Sequence, residues 1–400
     1  MTALKRLFSE GFRVFFLAAG LFAVLSMLVW VIWLALESAG IAVELPVAPA
    51  PFQWHAHEMI FGFGSAALGG FFLTAVPNWT GTRAAPHRFV AGAAALWLAG
   101  RVACGLSGSL PPGLVAVADL AFLPLLWGQI FGQLVRRPRP DQMIFLVLLL
   151  LFWTGNLLVH LDWLGWTATQ GAGLRIGLLT LCALIMVLGG RVTPGFTRNA
   201  MVQAGRESRL PANPSWLAAV SIAAALVLPV GHLAGLPQGL MAAAALVAGA
   251  AGLGRVALWR SGWTRSRPIL WTLHLSYAVN ALGFLLLGLS GFGLGSELAA
   301  LHLLGIGAVG GMSLSFMSRA TLGHTGRPLV APRLVVLSYG LVPLAALARV
   351  LAASLPALYL PGLLLAGGLW ILAFALYVVA LWPAFWGPRL PRAPVGQPRA

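Results

Sequence analysis

Twelve long apolar stretches, separated by short polar connections, fill almost the whole chain. They run at about 12–36, 54–77, 88–107, 112–135, 142–161, 172–190, 214–233, 238–259, 268–291, 297–318, 333–353 and 358–384. About 20 mostly apolar residues make a helix long enough to cross a bilayer. The first stretch is too long and unbroken for the apolar core of a signal peptide, so it is read as a helix. The expected fold class is all-α: a polytopic membrane protein with twelve transmembrane helices in one domain, residues 1–386. A Pro- and Arg-rich cytoplasmic tail, 387–400, is expected to be disordered.

Composition sharpens this picture. The 400 residues are 60% hydrophobic and only 8% charged, with mean hydropathy +0.90. A soluble protein cannot cover its surface with so few charges. A soluble enzyme, a disulfide-stapled secreted protein and a β-barrel are therefore excluded. The net charge of +16 does not point to nucleic acid, because the basic residues are not gathered on one domain. Of the 25 Lys and Arg, 22 lie at the N-terminal end, in alternate connections or in the tail. The opposite connections hold Glu37, Glu44, Asp162 and Glu297, with Arg175 nearby. The positive-inside rule then puts both termini in the cytoplasm. Cys104 and Cys182 both lie in apolar stretches, with no CxxC or CxxCH motif.

Spans 2, 6 and 10 each end in a polar signature: Val76-Pro77-Asn78-Trp79-Thr80-Gly81, Gly189-Gly190-Arg191-Val192-Thr193-Pro194-Gly195-Phe196-Thr197-Arg198-Asn199, and Leu322-Gly323-His324-Thr325-Gly326-Arg327. The four-helix interval suggests three four-helix units.

Ionisable residues inside membrane spans are costly, so each is a candidate for function. Trp54-His55-Ala56-His57-Glu58-Met59 opens span 2 at its outer end. Residues two apart on a helix point about 200° from one another, so His55 and His57 face different neighbours once the helix has begun. Glu58 is placed to orient an imidazole. His302 lies near the outer end of span 10, above a stripe of small residues, as the span 2 histidines do. Such stripes allow close helix packing, and they also leave room for a flat macrocycle. Two histidines at matching depth fit a haem clamped between spans 2 and 10, and fit equally a hydrogen-bonded pair in ordinary packing. His274, deeper in span 9, is a further candidate cofactor or metal ligand. Arg191 and Arg319 end spans 6 and 10, where a guanidinium suits a haem propionate or a lipid headgroup. Asp119 is at the right depth to pair with Arg101 or Arg349. Met59, Met312 and Met317 offer thioethers to Cu(I).

These motifs resemble the NnrS family. Phe12-Arg13, Trp54-His55-Ala56-His57-Glu58-Met59-Ile60-Phe61-Gly62-Phe63 and Phe71-Phe72-Leu73-Thr74-Ala75-Val76-Pro77-Asn78-Trp79-Thr80-Gly81 match in order, followed by 189–199 and 319–327. Gly11 and Val14 stand where the family tends to have prolines. The resemblance implies a bacterial inner-membrane protein carrying haem b and copper, tied to nitric oxide, nitrosative stress and denitrification. It leaves the reaction, if any, open. A membrane redox partner is a separate expectation for such a protein. Haem–copper oxidases and nitric-oxide reductases share the twelve-helix plan with haem histidines on helices 2 and 10. Their copper pattern does not carry over, since span 6 has no histidine and span 7 only His232. The rival reading is a twelve-helix transporter or metal-trafficking protein without stoichiometric haem, its helices broken at Pro194 or Pro229.

Overall fold

In hydrocarbon every backbone polar group must find its partner inside the protein, and helices achieve this within one segment. The computed structural model describes residues 2–391 and is helical throughout, with no strand among the described residues. The nine residues of the tail from 392 onward lie outside that range.

After a one-turn helix at Ala3–Leu7, the long helices are α1 (Gly11–Ser38), α2 (Pro51–Thr80), α3 (His87–Gly105), α4 (Pro112–Arg136), α5 (Pro140–Trp163), α6 (Gln170–Gln203), α7 (Ser215–Ala234), α8 (Gln238–Leu258), α9 (Pro268–Gly291), α10 (Glu297–His324), α11 (Arg333–Ser354) and α12 (Pro356–Trp386). Eleven of them are long and apolar enough to cross a membrane. The exception is α3, whose apolar character is diluted by His87, Arg88 and Arg101. By this measure the expected count of twelve stands at eleven, and the reason for the shortfall is chemical: α3 carries a charge that the site needs.

Consecutive helices pack as antiparallel neighbours, and α12 returns to lie along α1. Arg13 fixes that closure. Its Nε donates to Glu10 at 3.0 Å, and its Nη1 donates to the carbonyls of Ala384, Phe385 and Gly387 at 2.9–3.0 Å. Both ends of the described chain therefore meet on one face, here called the terminal face. Apolar side chains such as Val117 and Leu344, 70% and 53% exposed, cover the outside of the bundle. On a protein in water such a surface would be an association site, whereas lipid satisfies it.

The most buried helices include α2, α6 and α10, which carry the three polar signatures. Each also widens into a π turn, at Glu58–Phe63, Ile185–Gly189 and Leu303–Gly310. A π turn frees carbonyls from the regular ladder, and such turns concentrate at functional sites. The freed groups are taken up by side chains. Trp97 Nε1 donates to the Gly62 carbonyl at 3.0 Å. Arg255 donates to Met186 and Gly190 at 3.1 and 2.8 Å, and also to Tyr277 and Ser221. Replacing Arg255 with Met orphans these buried acceptors and is expected to lower stability by about 1–3 kcal/mol. Thermal unfolding in detergent reads this, and an unchanged midpoint would refute the role.

Pro194 and Pro229 lie inside continuous helices, so neither breaks its span.

Candidate functional site

The two-residue spacing of His55 and His57 sends them to different neighbours. His55 stacks on Trp30 of α1, ring centroids 4.6 Å apart and 15° from parallel. His57 faces α5, where its Nε2 lies 2.8 Å from Asn156 Oδ1. Glu58 orients an imidazole, and it is that of His57, with 2.9 Å between Nδ1 and Oε1.

Around His57 the first five long helices, except α1, contribute to one buried ionic network. Arg101 of α3 donates from Nη1 to both Glu58 oxygens at 2.6 Å and is also paired through Nη2 with Asp119 of α4. Asp119 Oδ2 accepts from Asn156 Nδ2 and from His160 Nε2, each at 2.8 Å. Of the two arginines that Asp119 was placed to meet, it takes Arg101. Cys104, one turn beyond Arg101 on α3, is fully buried beside them. The ligand atoms of His57, Cys104, Asp119 and His160 all lie within 4.8 Å of one another, a grouping able to hold a metal ion.

The hydrogen bonds assign the orientations. A carboxylate only accepts, so the Asn156 amide nitrogen faces Asp119 and its oxygen faces His57. Two carboxylates thus meet one guanidinium with polar side chains of α2 and α5 around them, which lowers the heavy cost of burying an ion.

A second group sits at the face away from the termini. His302 is the last residue before the π turn of α10, as His57 is before that of α2. His302 Nδ1 donates to the Leu298 carbonyl at 2.8 Å, which leaves Nε2 with a free lone pair. His55 and His302 lie within electrostatic reach of each other and of Arg349 on α11. His55 Nδ1, Trp54 Nε1 and Arg349 Nη1 are all buried with no hydrogen-bond partner among the described residues. A buried polar atom without a partner is uncommon in a folded protein, and each one calls for an explanation.

The other candidates lie apart from both groups. Both ring nitrogens of His274 are held by hydroxyls, Thr197 at 2.8 Å and Ser261 at 2.9 Å. Arg191 forms an exposed pair with Asp141 at 3.1 Å. Arg319 lies over the Phe196 ring at 4.0 Å and lines a cavity of about 390 Å³ near the terminal face. Asn78 and Trp79, Val192 and Phe196, and His324 line the same cavity, so all three polar signatures converge on it. A smaller apolar cavity of about 60 Å³ adjoins it toward the centre of the bundle, with Met312 and Met317 in its wall.

The comparison with known families decides the kinship. A family model described as NnrS protein matches residues 6–389. The chain belongs to the NnrS family. No curated protein matches the chain. Membership connects this multi-pass membrane protein with the haem- and copper-associated nitric-oxide response of the NnrS family in general. Both groups of side chains lie within the matched region.

Sequence reasoning did not foresee the part played by Cys104 and His160. The signal for His160 was its four-residue spacing from Asn156, which puts both on one helix face. Nothing in the order of residues ties Cys104 to them.

Proposed function

We propose that this NnrS protein binds haem b and copper in the bacterial inner membrane and acts on or responds to nitric oxide there. The observation that carries the reading is the unpartnered His55 Nδ1 beside His302, whose free Nε2 completes a pair of imidazole ligands from α2 and α10. These two residues fit an iron-bound macrocycle, with His55 rather than His57 supplying the α2 ligand, because both nitrogens of His57 are engaged. Copper would be held by His57, Cys104, Asp119 and His160, whose imidazole and thiolate donors suit it, with His57 giving up one of its two hydrogen bonds and the Cys104 thiol its proton.

Bound haem and copper would supply one-electron chemistry and a place for a diatomic ligand. The chain prepares for them. Trp30 fixes the His55 ring by stacking, and the Leu298 carbonyl fixes the tautomer of His302. The adjoining chain ends support an even number of crossings, with α3 as the twelfth helix, and the basic connections support a cytoplasmic terminal face. Electrons would come from a membrane redox partner.

The test is an oxidised and dithionite-reduced absorption spectrum with iron and copper counted on the same sample. His302→Ala is expected to lose the b-type spectrum and the iron while keeping copper. Cys104→Ala is expected to do the reverse. Haem unchanged in His302→Ala would overturn the ligation. A colourless wild-type protein, made with ample haem, would favour the transporter reading, with the cavity between α2, α6 and α10 as its binding place.

A further inference from the structure

Four arginines are buried in the bundle, and three of them have partners for their charge or their donors. Arg13 has Glu10 and three carbonyls. Arg101 has two carboxylates, though its Nε donates to nothing. Arg255 has two carbonyls, two hydroxyls and the Asn213 amide oxygen. Arg349, only 7% exposed, has no ion-pair partner among the described residues, and its Nη1 donates to nothing. Its electrostatic neighbours are His55, His302 and Tyr359, none of which carries a negative charge in its ordinary state. The chain has only nine acidic residues, and the ones placed in ion pairs are held by other partners.

A buried guanidinium without an anion is costly to keep. The cost is removed if the anion comes from outside the chain. The orphaned Nη1 offers a donor, and His55 and His302 beside it bring no carboxylate to receive it. A planar guanidinium fork matches two oxygens on one atom.

We propose that Arg349 is the recognition residue for an anionic oxygen pair bound beside His55 and His302. The ligand chemistry is a carboxylate or small oxyanion. It has two sources: a carboxylate of the porphyrin, which rests on the haem reading above, or a free ion such as nitrite or formate, which does not.

The experiment compares wild type, Arg349→Gln and Arg349→Lys as purified full-length protein. Calorimetric titration with nitrite and formate reads the free ion. Retention of haem and of its carboxylate diester during dialysis reads the cofactor. If the ion is free, wild type binds it saturably and Arg349→Gln weakens binding by about tenfold or more. If the carboxylate belongs to the cofactor, neither ion binds. In that case wild type holds haem better than its diester, and Arg349→Gln holds both equally poorly. Arg349→Gln that binds ions and holds haem as wild type does would overturn the proposal. Should Arg349→Gln fail to fold, Arg349→Lys decides, since it keeps the charge but loses the fork. Weakened binding or retention there supports the proposal, and unchanged behaviour overturns it. The His302→Ala spectrum separates this outcome from failure of the haem reading, because it reports iron ligation whatever Arg349 does.

Discussion

Replacing Arg101 with Gln is expected to destabilise the protein by about 3–5 kcal/mol, the range for removing one partner from a buried ion pair. Glu58 and Asp119, each 1% exposed at the side chain, would lose the guanidinium that faces both. The loss should appear as a large fall in thermal midpoint in detergent. The double variant Arg101→Gln with Glu58→Gln removes one of the two carboxylates left unpaired, so it is expected to recover part of the loss. A double variant no better than the single one would mean that charge balance does not hold this cluster together.

The second large effect is expected from Gly173→Leu. At Gly155 and Gly173, α5 and α6 come together backbone to backbone. A Cβ on Gly173 would stand 2.5 Å from the Gly155 carbonyl oxygen, and one on Gly155 would stand 2.8 Å from the Gly173 carbonyl oxygen. Backbone atoms cannot step aside as a side-chain tip does, so the helices must part. Overpacking of this kind costs about 1–3 kcal/mol. Asn156 is the neighbour of Gly155, so the displacement also pulls the amide away from His57 and Asp119. Copper content should fall with stability. Gly92→Leu, where an added Cβ meets nothing within 4 Å, is the control. If Gly173→Leu matches it in both measurements, the contact does not position the site.

Much of this arrangement was legible from spacing alone. The opposition of His55 and His57 follows from helical geometry, and the carboxylate at 58 had to meet an imidazole or a cation near it. The depth of Asp119 matched Arg101 because both lie at similar distances from their helix ends. What spacing could not show was rotation. A surface helix in water announces its inner face by its polar outer one. Helices apolar on every side, such as α5 and α9, give no such signal, so the meeting of Cys104 with His160, or of His274 with the hydroxyls of Thr197 and Ser261, could not be foreseen. The π turns were equally hidden, since they depend on side chains such as Arg255 arriving from elsewhere to take the freed carbonyls. The orphaned state of Arg349 is a fact about what its neighbours lack, which only their positions reveal.

The polar character of α3 bears on how the chain is built into the bilayer. An arginine costs about 2.5–3.5 kcal/mol at the centre of an inserting helix and less toward an end; with Arg101 one turn from its end and His87 and Arg88 at its start, α3 has a weak claim on the membrane when it leaves the ribosome. Glu58 on α2 has by then been synthesised, and Asp119 follows on α4. A segment in this position is stabilised by waiting for its counter-ions and entering with them. The network that unites α2 to α5 in the finished protein thus also implies that these four helices settle into lipid as a group, while the helices that follow Trp163 are still to come.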